Sequence, residues 1–326
     1  MKLAVVGTGV MGRNHARAAR ELGFLAGVFD MDAKAAREVA SAHGAKAYDS
    51  LDALASDRAI DAVVVATPTS THHATASRLL EAGKHVLVEK PIAGSLEEGR
   101  DLVARAKKAG RTLAVGHIER HNPVVAFARE ALAKGEFGEL ITLSARRVSN
   151  LPGRIRDVGC IMDIGIHDID VLRHVAGSEI RRVYARAGTF TPNLAFEDHA
   201  SVLLEFASGV TGVVEVNWLT PMKVRQFSLT ASKAYVEADY IEQRAVISSS
   251  TYGALDPANL FQVPLELHQR VVALKKQEPL KLELSDFARA CASGGRPLVA
   301  GEDGVAALAV AQAAVASASK GAPVAP

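Results

Sequence analysis

The sequence is short of several residue types and patterns, and each shortage narrows the kind of protein it encodes. Only two of the 326 residues are cysteine, Cys160 and Cys291, and no CxxC pair is present. A disulfide framework and a cysteine zinc site are therefore not expected. No stretch approaches the ~18 apolar residues that a membrane helix needs. The apolar start of the chain lacks the cleavage pattern of a signal peptide, so we expect a cytoplasmic protein with no membrane contact.

The chain also lacks a large excess of charge of one sign. The 38 Lys and Arg residues nearly balance the 36 Asp and Glu residues, which leaves a formal net charge of +2. A chain so balanced creates no field for nucleic acid or an anionic membrane surface, and we expect neither as a partner. The length and the 48% hydrophobic content predict a globular protein of two domains with a sizeable core.

The strongest local pattern is a glycine-rich turn near the start. An apolar strand over residues 2–6 leads into it, and a helical pattern follows. In that context the three glycines of G-x-G-x-x-G allow a tight turn, close approach of a pyrophosphate and close packing of the helix on the strand. The free N–H groups of the helix start favour phosphate. We therefore predict a dinucleotide site at Gly7, Thr8, Gly9, Val10, Met11 and Gly12.

Asp30 indicates which dinucleotide binds. It ends the second predicted strand, 18 residues beyond Gly12, near the spacing of the acid that binds the adenosine ribose hydroxyls. Its carboxylate would repel a 2′-phosphate, and this favours NAD. Lys34 and Arg37 on the next helix keep NADP as the less favoured alternative.

Strands and helices alternate up to about residue 120, which predicts a doubly wound parallel sheet. Beyond it, runs with period two follow one another with few helices, which predicts a mostly antiparallel sheet. The fold class is thus α/β: a Rossmann domain over residues 1–120, then an α+β domain with an open-faced sheet over 121–326. Trp218, Val214 and Phe227 are candidates for an apolar face that pairs with another subunit.

Two stretches carry candidate chemistry. Lys90 follows the short apolar strand Val86–Val88 and precedes Pro91, which ends the strand, with a cis bond as one option. Ligands bind outside the carboxyl ends of such strands, so Lys90 is a candidate acid–base group. The alternative is that Glu89 and Lys90 merely begin a polar loop.

The second stretch is a helix in which Asp163, His167, Asp170 and His174 share one face. Three interpretations compete: a buried polar stripe, a metal site, or an Asp163–His167 pair that shares acid–base work with Lys90. The metal site is disfavoured because His167 and His174 are two turns apart.

The glycine turn, Thr67-Pro68-x-x-x-His72, Glu89-Lys90-Pro91 and the Asp163-x-x-x-His167 helix together resemble the glucose–fructose oxidoreductase/inositol dehydrogenase/MocA family. The resemblance covers the whole chain. It implies NAD(P)-dependent oxidation of a sugar or cyclitol alcohol, with a catalytic lysine at Lys90 and an Asp/His pair at Asp163 and His167. It also implies a homodimer or homotetramer through the open-faced sheet, and cofactor contacts from Thr67, Pro68, His72, Glu89 and Lys90.

A finer resemblance is to the branch of this family that contains UDP-N-acetylglucosamine 3-dehydrogenases. It implies that a UDP-sugar is held by Lys90, Asp163 and His167 together with His117, Arg146, Arg147, Arg154 and Arg156. Four guanidinium groups in eleven residues suit a diphosphate. The alternative for the arginines is pairing with acids at the domain interface. The competing activities are an inositol or free-sugar dehydrogenase, a glycoside hydrolase that uses bound NAD, and a non-catalytic sensor.

Overall fold

A computed structural model describes residues 1–151, 153, 158–252, 258 and 265–326. The chain divides into two compact units. The first comprises Met1–His121 and Gln277–Ala309, and the second comprises Asn122–Lys276 and Val310–Pro326. Among the described residues, no helix is both long enough and apolar enough to cross a membrane.

The first unit is built on a parallel sheet of six strands. In chain order they are β1 (Leu3–Val6), β2 (Leu25–Phe29), β3 (Lys46–Ala47), β4 (Ala62–Val65), β5 (His85–Glu89) and β6 (Leu113–Gly116). They lie in the order β3-β2-β1-β4-β5-β6, and every neighbouring pair is parallel. This is the strand order of a doubly wound dinucleotide-binding sheet, in which the order reverses beside β1.

The helices alternate with these strands and continue to the end of the chain. In chain order they are α1 (Val10–Glu21), α2 (Ala33–His43), α3 (Leu51–Ser56), α4 (His72–Glu81), α5 (Leu96–Ala109), α6 (Pro123–Ala133), α7 (Ile166–Ala176), α8 (Pro279–Ser293) and α9 (Gly301–Lys320). Their ends follow local chemistry. The Ser95 hydroxyl accepts the N–H of Glu98 at the start of α5, and Gly110 ends α5 in the left-handed conformation.

The structure differs from the predicted domain division in one respect. The prediction placed everything after residue 120 in the second domain, whereas Gln277–Ala309 belongs to the first unit. The reason is the apolar stripe of α8: Leu280, Leu284 and Phe287 are buried in one cluster with residues of β1, α1 and β5. Burial of this stripe stabilises the first unit by the hydrophobic effect.

The second unit is built on a sheet of eight strands. In chain order they are β7 (Leu140–Asn150), β8 (Ile180–Gly188), β9 (His199–Phe206), β10 (Thr211–Asn217), β11 (Leu219–Ala231), β12 (Tyr235–Asp239), β13 (Arg244–Tyr252) and β14 (Leu265–Ala273). Their order is β14-β13-β12-β11-β7-β10-β9-β8. All neighbours are antiparallel except β7 and β10. The predicted fold class is confirmed.

The two faces of this sheet have different partners. On β7 and β10, Leu143, Ala145 and Val214 are buried on the face against which α7 packs. The opposite face carries Val213 and its register partner Ser144, which are exposed. The alternation follows from the two-residue period of a strand. We call this second side the open face.

The predicted strands of the second domain are present with nearly the expected bounds, but some elements were not predicted. β13 and β14 pair with each other, and they lie largely in a region whose sequence shows no clear period. α8 begins at Pro279, and proline is favoured in a first helical turn because no N–H is needed there. The short β3 and α3 carry too few residues for a periodic signal.

Candidate active site

The glycine turn has the shape that a pyrophosphate site requires. Gly7 has φ +92°, and a Cβ there would lie 2.5 Å from the carbonyl oxygen of Ala66. A Cβ on Gly12 would lie 1.8 Å from the carbonyl oxygen of Gly7. Gly9 is the opposite case, because among the described residues nothing lies within 4 Å of a Cβ added there. Gly9 therefore leaves room above the start of α1 for a phosphate.

Asp30 is fixed beside this turn by its hydrogen bonds. Its Oδ2 accepts the N–H of Thr8 at 2.6 Å and the Thr8 hydroxyl at 2.8 Å, and its Oδ1 accepts the N–H of Asp32 at 2.9 Å. Burial raises the pKa of Asp30, but these hydrogen bonds outweigh it and leave the pKa lowered. An ionised carboxylate is thus held next to the glycine turn, and the residues present fit NAD.

His72 links the loop after β4 to the loop after β5, beside the predicted cofactor site. Its side chain is buried, with Nδ1 2.9 Å from the carbonyl oxygen of Pro91 and Nε2 2.9 Å from that of Thr67. Burial lowers the pKa of His72 more than the two carbonyls raise it. The ring is therefore neutral and donates to one carbonyl at a time. Of the residues expected to touch the cofactor, Thr67 is half-buried and Pro68 is exposed, while His72 joins the two loops.

Lys90 follows directly after β5 and is half-buried. The Lys90–Pro91 peptide is cis. Glu89, the last residue of β5, is buried and accepts the N–H of Lys90 at 3.1 Å. Its other oxygen lies 2.8 Å from Nε2 of His15 on α1. Glu89 is therefore a buried support for Lys90 rather than a surface contact for the cofactor.

The charge state of Glu89 follows from its partners. Burial raises the pKa of Glu89, but the hydrogen bond and charge of His15, with the charge of Lys90, leave it lowered. Glu89 is thus an anion behind Lys90. The sequence prediction overlooked His15, although its position three residues after Gly12, on the buried side of α1, was a usable signal.

Asp163 and His167 lie in the second unit, Asp163 within a helical irregularity and His167 just after it. Residues Ile161–Gly165 form a π-helical turn, in which the N–H of Ile166 bonds the carbonyl oxygen of Ile161 five residues back. Such wide turns are frequent at functional sites. Both side chains are half-buried, whereas Asp170, expected on the same face, is fully buried. The wide turn changes the spacing between Asp163 and His167, whereas His167 and Asp170 keep the i, i+3 spacing of one face within α7.

Glu197, which no sequence pattern singled out, fixes the start of this helical segment. Its Oε1 accepts the N–H of Ile161 at 3.2 Å, and its backbone carbonyl accepts the N–H of Cys160 at 2.9 Å. Gly159 is required beside it, because an added Cβ would lie 2.0 Å from the Glu197 carboxylate. A carboxylate at a helix start also suits the helix dipole.

Of the four arginines predicted to bind a diphosphate, the two that the structure describes, Arg146 and Arg147, point to opposite faces of the sheet. Arg147 is buried, with Nε 2.7 Å from Oδ2 of Asp168 and a terminal nitrogen 3.1 Å from Oδ1. The Tyr240 hydroxyl donates to the same Oδ1 at 3.2 Å. Arg146 lies on the open face, 3.1 Å from Glu215. Adjacent strand residues point to opposite faces, so Arg146 and Arg147 do not face a ligand from the same side of the sheet, and the contact of Arg147 with the substrate stays a prediction.

The remaining predicted site residues are placed as follows. His117 follows directly after β6 and is buried, with its N–H bonded to the carbonyl oxygen of Val115. Arg154 and Arg156 lie outside the described residues. Within the part of the chain that is described, no group of three or more His, Cys, Asp or Glu side chains could hold a metal ion.

Comparison with known proteins agrees with this geometry. Residues 1–117 match a family model described as an oxidoreductase family with an NAD-binding Rossmann fold, and residues 125–237 match a GFO/IDH/MocA C-terminal domain. The chain is a Rossmann oxidoreductase that uses NAD, as the sequence predicted.

Two relatives and one solved structure show to which family the chain belongs. The chain is 32% identical to UDP-N-acetylglucosamine 3-dehydrogenase of Acidithiobacillus ferrooxidans over 97% of its own length and 95% of the relative. It is 30% identical to scyllo-inositol 2-dehydrogenase (NAD(+)) of Bacillus subtilis over 82% and 78%. A solved structure of the Acidithiobacillus enzyme superposes with a TM-score of 0.87 over 98% of each chain, at 30% identity. This protein belongs to the GFO/IDH/MocA oxidoreductase family.

Replacement of Asp168 by Ala tests the assignment of Arg147. The change leaves a buried guanidinium without its carboxylate, and we expect the free energy of unfolding to fall by about 3–5 kcal/mol. Urea denaturation measures it. The matched control is Glu215→Ala, which breaks the exposed pair with Arg146 and should cost about 0–1 kcal/mol. Equal losses in the two variants would contradict the assignment.

Asp30 allows a test of the cofactor site. Asp30→Ala removes hydrogen-bond acceptors for the ribose, and the loss of about 1.5–3 kcal/mol predicts NAD+ binding weaker by about 10–100-fold. Asp30→Asn keeps the shape but loses the charge, so NADP+ should gain relative to NAD+. Calorimetric titration of both cofactors measures this. Unchanged NAD+ affinity in Asp30→Ala would refute the assignment.

Proposed function

We propose that this protein is an NAD-dependent dehydrogenase that oxidises a ring hydroxyl of a UDP-sugar, in the manner of a UDP-N-acetylglucosamine 3-dehydrogenase. The observation that carries the proposal is the 32% identity to the Acidithiobacillus enzyme over nearly the whole of both chains. Arg147 is held in an ion pair with Asp168, so it supports a diphosphate site less than its place in the sequence predicts. An inositol dehydrogenase is the second candidate, favoured by a relative of that name at 34% identity over 66% of the chain.

The proposed mechanism assigns a role to each group. Bound NAD+ would supply the hydride acceptor. The turn around Gly9 holds the pyrophosphate on the N–H groups of α1, and Asp30 accepts the ribose hydroxyls. Lys90 and His167, with Asp163 orienting the imidazole, take the hydroxyl proton as the C–H bond breaks.

Substitution of the proton-transfer groups tests this mechanism. In Lys90→Met and in His167→Ala we expect the turnover rate to fall by about 10²–10⁴-fold, since each variant lacks a general acid–base group. NAD+ affinity should change little. The exposed Lys34→Met, on α2, is the matched control for the lysine. Near-full turnover in both active-site variants would refute the assignment.

A substrate panel tests the substrate class. Absorbance of NADH is followed with UDP-N-acetylglucosamine, other UDP-sugars, myo-inositol and glucose. We expect reduction of NAD+ with the UDP-sugar alone. Reduction with inositol or glucose instead would keep the dehydrogenase and overturn the nucleotide-sugar substrate. Sugar release without net NADH would indicate the glycoside hydrolase, and cofactor binding without turnover would indicate the sensor.

We also propose that the open face pairs two copies of the chain. It presents five exposed apolar side chains that the strand register places on one side of the sheet: Leu203, Val213, Tyr235, Leu267 and Val271. Scattered apolar residues are ordinary on a surface, but an extended set on one sheet face is typical of an interface. Trp218, Val214 and Phe227, predicted for such a face, are buried instead.

Charge placed on the open face tests the pairing. In Val213→Glu we expect the mass measured by light scattering to fall to that of the monomer, because a buried unpaired carboxylate opposes association. Met31→Glu, at the most exposed apolar position outside the sheet, is the control and should leave the mass unchanged. A monomeric wild-type protein would contradict the proposal.

We propose the cytoplasm as the compartment in which the protein acts. Cys160 and Cys291 are both free thiols. Burial raises the pKa of each, in Cys291 to about 12, so neither is a reactive thiolate at neutral pH.

A further inference from the structure

Three titratable side chains are buried together in the first unit behind Lys90. They are His15 on α1, Glu89 at the end of β5 and Glu283 on α8, with exposed fractions of 0%, 7% and 2%. Acidic side chains are rarely buried to this extent unless they are paired. The question is therefore how two buried carboxyl groups share this space.

The two carboxyl groups have different partners. Glu89 is bonded to His15 and to the N–H of Lys90. Neither oxygen of Glu283 has a hydrogen-bond partner within the described residues. Glu283 sits in the apolar stripe of α8, next to Leu284 and one turn from Leu280 and Phe287. In the sequence, Glu283 is recognisable as a glutamate at a buried position of an amphipathic helix.

Physical chemistry then decides which carboxyl group holds a proton. A buried carboxylate without a donor is so costly that the group takes up a proton instead. Burial and then the charge of Glu89 raise the pKa of Glu283 well above its ordinary value, with Asp286 contributing. The pKa of Glu89 is lowered, as described above. The pKa values of these two neighbouring acids are therefore shifted in opposite directions, and the two groups have separate roles.

We propose that Glu89 and Glu283 together hold one proton and one negative charge, with the proton on Glu283, so that Lys90 faces one buried anion and not two. A second anion behind Lys90 would hold the lysine in its protonated form and prevent it from accepting a proton. The inference rests on the proposed function insofar as Lys90 transfers the proton. The charged or titratable groups on the elements packed against α8 are Arg13, His15, Arg17, Arg20 and Glu21 on α1 and Glu119, Arg120 and His121 after β6. The strand end adds Glu89 and Lys90, and α8 itself adds Lys281, Asp286, Arg289 and Cys291.

Infrared spectroscopy of the whole protein without substrate tests the charge state directly. At pH 7 we expect the carbonyl stretch of a neutral carboxylic acid in the wild type, and its loss in Glu283→Gln. Glu302→Gln, an exposed glutamate of the same unit, is the control and should keep the band. An unchanged band in Glu283→Gln, or no band in the wild type, would overturn the inference while leaving dehydrogenase activity untouched.

Stability gives a second readout that is independent of activity. The folded pKa of Glu283 is raised, so between the ordinary pKa and the raised one the folded state binds more protons than the unfolded state. Stability contributed by this proton is therefore lost as pH rises above about 5. The unfolding midpoint of Glu283→Gln should move above that of the wild type as pH rises, and parallel curves would contradict the inference.

The number of buried anions behind Lys90 is tested by the pH profile of kcat/KM. Glu89→Gln removes the single anion, so the limb that reports the proton-transfer groups should move to lower pH. Glu283→Gln removes no charge and should cause only a small part of that shift. An equal shift in both variants would show an ionised Glu283 and overturn the inference. If neither variant moves the limb while the infrared band belongs to Glu283, the failure lies with Lys90 as the base.

Discussion

The hydrogen bond between His15 and Glu89 is the interaction on which the first unit's site depends. His15 lies on α1, the helix that begins at the glycine turn, and Glu89 immediately precedes Lys90. Both are buried, and a charge-assisted bond in a dry environment is strong and costly to break. The helix that would hold the pyrophosphate and the strand end that presents Lys90 are thereby fixed to one another. His72 adds a third connection, from the loop after β4 to Pro91.

The same interaction constrains its surroundings. Gly116, at the end of β6, lies so close that an added Cβ would be 3.0 Å from the second oxygen of Glu89, so the neighbouring strand needs a glycine there. α8 covers the cluster with an otherwise apolar stripe, and the one acid in that stripe, Glu283, is tolerable only without charge. One buried anion thus accounts for a glycine on one side and a neutral acid on the other.

Sequence patterns predicted those features of the structure that depend on residues close together in the chain. The glycine turn, the acid Asp30 and the strands from β7 to β11 follow from local periodicity and turn chemistry. The π-helical turn before α7 was not predicted, because periodicity over five residues does not distinguish a wide turn from an α-helical one. The membership of α8 in the first unit depends on contacts between segments more than 250 residues apart, and no local signal reports them.

The arginines show most clearly how closeness in sequence differs from closeness in space. Arg146 and Arg147 are neighbours in the sequence, but they point to opposite faces of β7. Arg146 lies on the open face, and Arg147 pairs with Asp168 of α7. Their alternation explains why a basic run can contribute little to one ligand site. Asp168 lies one residue after His167, so Arg147 supports the helix that carries the candidate acid–base pair. Arg147 therefore acts on the proposed chemistry through the placement of that helix.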